Sequence, residues 1–97
     1  MSAETSRQER YLLDRQAILD CVSRYCRAVD RHDRELLATV FHDDARIDLG
    51  DFEGGPQAFA AQALNGLAQR YAAHSHNITS HNCTVDGEVA HAESYVL

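Results

Sequence analysis

The residues best suited to chemistry in this chain are a carboxylate and a group of imidazoles. Asp30 ends a run with helical periodicity and borders its apolar stripe rather than its polar face. The helix dipole disfavours a negative charge at this end by up to about 1 kcal/mol. A carboxylate in two unfavourable positions is often there for function. The alternative is a surface carboxylate that pairs with Arg27, Arg31 or Arg34, and the periodicity alone leaves both readings open.

Three of the six histidines lie close together near the C-terminal end of the chain. In a strand, His74 and His76 share a face with Ile78, whereas His81 points to the opposite face. A histidine that faces an apolar interior needs a partner for a ring nitrogen, and Asp30 would serve. An aspartate that holds one imidazole nitrogen leaves the other free as a base. The alternative is a core histidine with satisfied hydrogen bonds.

A metal site and a cysteine nucleophile are the other candidates. His74 and His76, with His81 or Asp30, could bind a divalent metal ion. Because His81 has the opposite orientation and no H-E-X-X-H motif is present, we predict no metal site and no cofactor. Cys26 could act as a nucleophile, but a cysteine within an apolar helix stripe is more often core packing.

Composition limits the function further. Ninety-seven residues allow one domain, and a formal charge of −6 argues against binding nucleic acid or an anionic membrane. The absence of lysine excludes Schiff-base chemistry. The polar N-terminus shows no signal peptide, and three cysteines without zinc spacing indicate reduced thiols, so we predict a cytoplasmic protein.

The elements that must position these side chains predict an α+β fold. After a disordered tail over 1–7, a single domain covers 8–97. The predicted helices are Gln8–Val29, Arg34–Phe41 with Asp33 as N-cap, and Pro56–Ala72. The predicted strands are Ala45–Leu49, His74–Val85 and Glu88–Leu97, the last two joined at Asp86-Gly87. The chain stops in mid-strand, so we expect a fragment, or a sheet that a partner chain completes.

Three segments resemble a known family. They are ILDCVSRYCRAVDRHD from Ile18, LLATVFHDDARIDLG from Leu36, and HSHNITSHNCTVDGEVAHAESYVL from His74. Their order and spacing are similar to SnoaL-like proteins of the nuclear transport factor 2-like superfamily, whose relatives include scytalone dehydratase, dehydrochlorinases and polyketide cyclases. By this resemblance, we expect the chain to lack the family's last strands.

The resemblance implies a cone-shaped α+β barrel, in which a long helix and two further helices pack on a curved mixed sheet. It also implies a catalytic pair, with Asp30 matching an aspartate at the end of the first helix and His76 matching a histidine on a central strand. Tyr25 matches a pocket position, and we assign Phe41 and Ile78 to the substrate-binding surface with it. Where the family often has Asn four residues after the histidine, this chain has Ser80.

The function predicted from these residues and the resemblance is a cofactor-independent lyase or isomerase of the dehydratase or cyclase type. His76 would remove a proton from a small apolar molecule while Asp30 orients its ring. The alternative is a non-catalytic ligand-binding or oligomerisation module of the same fold. We expect a homo-oligomer, either a dimer or a trimer.

Overall fold

The computed structural model describes residues 2–70 and 74–97. By internal contacts these residues form two units, one built from 2–23 with 77–97 and the other from 24–76. None of the helices in the described residues is both long and apolar enough to cross a membrane.

The first helix, α1, spans Ala3–Asp30 and begins earlier than the predicted start at Gln8. Its start is capped by Ser2, whose hydroxyl accepts the N–H of Thr5 at 3.0 Å. A serine at this position satisfies one of the four unpaired amides of the first turn. This cap explains why the polar residues that we predicted as a tail are helical.

The end of α1 is a Schellman motif centred on His32. The N–H of Asp33 bonds the carbonyl of Ala28 at 2.8 Å, and the N–H of His32 bonds that of Val29 at 3.2 Å. His32 has a φ of 53°, the only positive value among the non-glycine residues that the structure describes. Glycine is usual at such a position, and another residue costs about 1–2 kcal/mol there.

Unit 24–76 continues with short elements. α2 covers Arg34–Thr39, and its N-cap is Asp33, as predicted, with the carboxylate accepting the N–H of Leu36 at 3.0 Å. The two-residue strands β1 (Ile47–Asp48) and β2 (Glu53–Gly54) pair antiparallel. β1 is shorter than predicted, and β2 lies between the predicted first strand and third helix, where we predicted no strand.

The third helix, α3, runs from Pro56 to Arg70. Its start agrees with the predicted proline in the first turn. The predicted end at Ala72 falls in 71–73, outside the described residues. α3 supplies half of the buried core of unit 24–76, which consists of Ala28, Val29, Leu37, Phe59, Ala60 and Leu64.

The other unit contains a hairpin of β3 (Ile78–Asp86) and β4 (Val89–Val96). Asp86 pairs with Val89, so the two loop residues are Gly87 and Glu88. Gly87 has a φ of 62° at the first loop position, which fits the type II′ turn that matches strand twist. The predicted hairpin is therefore confirmed, with β3 starting later than the predicted His74.

The α+β class with an incomplete sheet is confirmed, because helices accompany two small antiparallel strand pairs in the described residues. Of the three cysteines that we expected to be reduced thiols, Cys26 and Cys83 are buried.

Candidate functional site

The candidate site forms where the last turn of α1 meets the segment before β3. Asp30 is the last residue of α1, and its side chain is 23% exposed. His74 and His76 lie in a segment that belongs to neither a helix nor a strand. The strand alternation that we used to place them on one face is therefore wrong for these residues, although both contact Asp30.

Asp30 holds His76 at two points. Oδ1 of Asp30 lies 2.6 Å from Nδ1 of His76, and Oδ2 accepts the backbone N–H of His76 at 2.9 Å. A carboxylate cannot donate, so Nδ1 carries the proton and Nε2 has a lone pair when the ring is neutral. In the described part of the chain, no hydrogen bond to this Nε2 is present, and the side chain is 28% exposed. The ring is therefore oriented at one nitrogen and accessible at the other.

Two further imidazoles extend this arrangement. Nδ1 of His74 lies 3.2 Å from the same Oδ1 of Asp30, and Nε2 of His74 lies 3.1 Å from Nε2 of His32. The His32 and His74 ring centroids are 5.1 Å apart. In the described residues, the side chains that contact the carboxylate of Asp30 are thus histidines, not the arginines of the surface-carboxylate alternative.

The electrostatics of this cluster favour an ionised Asp30. Burial raises the pKa of the carboxyl. The amide N–H of His76 and the imidazoles of His76 and His74 together lower it by more than burial raises it, so the pKa of Asp30 lies below the ordinary value of 3.8. Burial and then the charge of Asp30 raise the pKa of the Cys26 thiol. A thiol held protonated is a poor nucleophile, which supports the reading of Cys26 as core packing.

Two of the predicted substrate contacts meet at one aromatic ring. Tyr25 stacks on Phe59 with centroids 6.4 Å apart, and Phe41 packs edge-on to Phe59 at 5.6 Å. Burial, with a smaller contribution from Cys26, raises the pKa of Tyr25, so its hydroxyl stays protonated and can donate a hydrogen bond.

A concavity of about 250 Å³ opens beside these rings. Phe52, Phe59, Ala63 and Leu67 form its apolar wall, and Gln62 and Asp51 add polar groups. Neither Asp30 nor His76 lines it. Phe59, which is 6% exposed, is the residue that this wall shares with the rings of Tyr25 and Phe41.

The remaining predicted residues belong to the hairpin unit. Ile78 opens β3, where it is half-buried and pairs with Val96. Its role as a substrate contact stays a prediction. His81 bonds the hydroxyl of Ser94 at 2.8 Å through Nδ1, and its Nε2 is buried without a hydrogen-bond partner among the described residues.

Sequence reasoning missed His32 and the central position of Phe59. No pattern of residue types shows that His32 adopts a positive φ, which brings its ring to His74. Phe59 lies within the predicted third helix, but no feature of the sequence distinguishes it from the other apolar residues of that helix. The ligand atoms of Asp30, His74 and His76 lie within 4.8 Å of one another, so these residues could also hold a metal ion.

Comparison with known proteins identifies one family. The family model described as SnoaL-like domain matches residues 10–97, which is most of the chain. No curated protein and no solved structure matches the chain.

Proposed function

Because the chain belongs to the SnoaL-like domain family, a small-molecule-binding fold, we propose that it is a cofactor-independent lyase or isomerase of the dehydratase or cyclase type. His76 is the general base and Asp30 is its positioning carboxylate. The observation that carries the proposal is the double attachment of His76 to Asp30, at 2.6 Å through the ring and 2.9 Å through the backbone.

The proposed reaction begins with proton removal by Nε2 of His76. The substrate proton would come from a carbon next to a carbonyl or next to a leaving group. As the ring becomes an imidazolium, the charge of Asp30 stabilises it across the existing hydrogen bond. Asp30 is suited to this role because its pKa lies below its ordinary value, so the carboxyl keeps its charge at neutral pH.

The proposed substrate is a small, largely apolar molecule such as a polyketide, steroid or aromatic compound. Tyr25, Phe41 and Ile78 are its proposed contacts. The aromatic cluster around Phe59 offers rings for stacking. Tyr25 would donate a hydrogen bond to a substrate oxygen.

The substitution His76→Asn tests the base directly. The amide nitrogen of asparagine can replace Nδ1 and keep the bond to Asp30, but nothing replaces Nε2. Two probes report proton removal: elimination from 5-nitrobenzisoxazole, and deuterium uptake next to the carbonyl of small cyclic ketones. We expect the variant to lose roughly 10²–10⁴-fold in rate while its melting temperature changes little.

The matched control is His42→Asn, which changes an exposed histidine outside the cluster. It should keep the parent rate on both probes. If His76→Asn proceeds at the parent rate on a substrate that the parent turns over, His76 is not the base.

The second candidate is a non-catalytic ligand-binding or oligomerisation module. One observation favours ligand binding: the concavity beside Phe59 does not include Asp30 or His76. Another favours a homo-oligomer: Val89, Tyr95 and Val96 of β4 are 57%, 60% and 46% exposed. Light scattering after gel filtration gives the oligomeric state. If the parent binds an aromatic ligand without turning it over, and the His76→Asn variant still binds that ligand, the result would favour the binding module.

A further inference from the structure

We propose that His32 and His74 form a binding site for a divalent transition-metal ion such as Zn²⁺, with water or an oxygen of a bound molecule in the remaining positions. This site goes beyond the proposed proton transfer and does not depend on it. It also departs from the expectation from sequence, which was that the chain has no metal site. The candidate ligands weighed there were His74 and His76 with His81 or Asp30, and His32 was not considered.

The separation of two ring nitrogens carries the proposal. Nε2 of His32 and Nε2 of His74 lie 3.1 Å apart. With Zn–N distances of about 2.05 Å, one ion can contact both nitrogens at an N–Zn–N angle of about 98°. That angle lies between the tetrahedral and octahedral values. By contrast, the 2.6 Å separation of Oδ1 of Asp30 and Nδ1 of His76 would require an angle of about 79°, so these two atoms form a hydrogen bond and do not bind one ion together.

Asp30 prepares His74 as a ligand. Nδ1 of His74 lies 3.2 Å from Oδ1 of Asp30, so its ring proton is placed on Nδ1 and the lone pair on Nε2. Metal-bound histidines commonly donate their second ring N–H to a carboxylate, which fixes the tautomer and increases the basicity of the ligand. His74 is also largely buried, with a side chain 11% exposed.

The backbone conformation of His32 is compatible with this role. His32 occupies the left-handed position of the Schellman motif, with a φ of 53°, where glycine is favoured. Strained backbone at a non-glycine residue tends to occur at functional sites. In the absence of an ion, one of the two facing nitrogens must carry a proton and donate to the other.

Calorimetric titration of the full chain with ZnCl₂ tests the site, with the absorption bands of bound Co²⁺ as the readout of imidazole ligation. The informative variant is His32→Gly, because glycine suits this backbone and the variant should fold. His74→Ala removes the other ligand, and His42→Ala is the control for binding at an exposed histidine.

We expect one Zn²⁺ per parent chain and a loss of affinity of at least roughly tenfold in His32→Gly and His74→Ala, with no loss in His42→Ala. Zn²⁺ should raise the melting temperature of the parent but not that of His32→Gly. Equal Zn²⁺ affinity in His32→Gly and the parent, or no Zn²⁺ binding by the parent, would overturn the site. His32→Gly leaves His76 and Asp30 in place, so it should lose metal binding without losing proton removal. Failure of the metal site and failure of the proposed catalysis can therefore be told apart.

Discussion

The substitution Asp30→Ala removes the acceptor that joins the end of α1 to His74 and His76. Its two oxygens accept three hydrogen bonds, at 2.6, 2.9 and 3.2 Å. Bonds to a charged group contribute about 1.5–3 kcal/mol each. We take the lower end, since side chains here are 11–28% exposed and water can reach the donors left behind.

Three such bonds amount to about 4.5 kcal/mol. Removing the carboxylate also relieves its repulsion with the helix C-terminus, by up to about 1 kcal/mol. We therefore expect the free energy of unfolding to fall by about 3.5 kcal/mol. The melting temperature should fall by roughly 14–28 °C for a domain of this size.

Urea denaturation followed by circular dichroism at pH 7 measures this loss. The control is Asp44→Ala, which removes an exposed carboxylate from the turn before β1 and should change the free energy by less than about 0.5 kcal/mol. If Asp30→Ala is as mild as this control, the three bonds do not stabilise the fold, and the reasoning is refuted.

Three further predictions concern pH, backbone and core. The pKa of Asp30 is lowered in the folded state, so this carboxylate stabilises the fold above the ordinary pKa of 3.8 and the stabilisation is lost as pH falls below that value. In acid denaturation, the Asp30→Asn variant should not show this loss of stability. Gly87→Ala should lower the free energy of unfolding by about 1–2 kcal/mol, because Gly87 has a φ of 62°. Gly66→Ala should raise it by about 1 kcal/mol, because Gly66 lies inside α3 with open space for a Cβ. Urea denaturation measures both changes. Phe59→Ala should cost about 3–5 kcal/mol in the same assay, because a ring that is 6% exposed and packs against other aromatic rings leaves a cavity.

Opposite outcomes would be informative. A parent whose acid denaturation coincides with that of Asp30→Asn would place the acid-sensitive groups elsewhere. Equal effects of the two glycine substitutions would mean that backbone conformation does not control the hairpin turn. A mild Phe59→Ala variant would show that the aromatic cluster rearranges to fill the space.

Hydrophobic periodicity was sufficient to predict the long helix and the placement of Asp30 on the edge of its apolar stripe. The cap at Asp33 and the Asp86-Gly87 turn were predictable because both rest on local rules of residue type. The class of the fold followed from the order of these elements.

Other features depend on tertiary structure that sequence patterns do not contain. β2 is two residues long and includes Gly54, so it has no alternation to detect. His74 and His76 were assigned to a strand by composition, but the structure places them in an irregular segment whose side chains contact Asp30. The position of His32 depends on one backbone angle, and residue type alone favours glycine there.

The bonds between Asp30 and His76 join residues 46 positions apart in the chain. Closing a loop of that length costs roughly 3 kcal/mol of chain entropy, and the contact stabilises the chain only after the loop has closed. The contact should therefore form after the rate-limiting barrier of folding, unlike the local turn at Gly87. Asp30→Ala would then leave the refolding rate nearly unchanged and increase the unfolding rate by about the whole of its effect on stability, so that the lifetime of the native state depends on this one carboxylate.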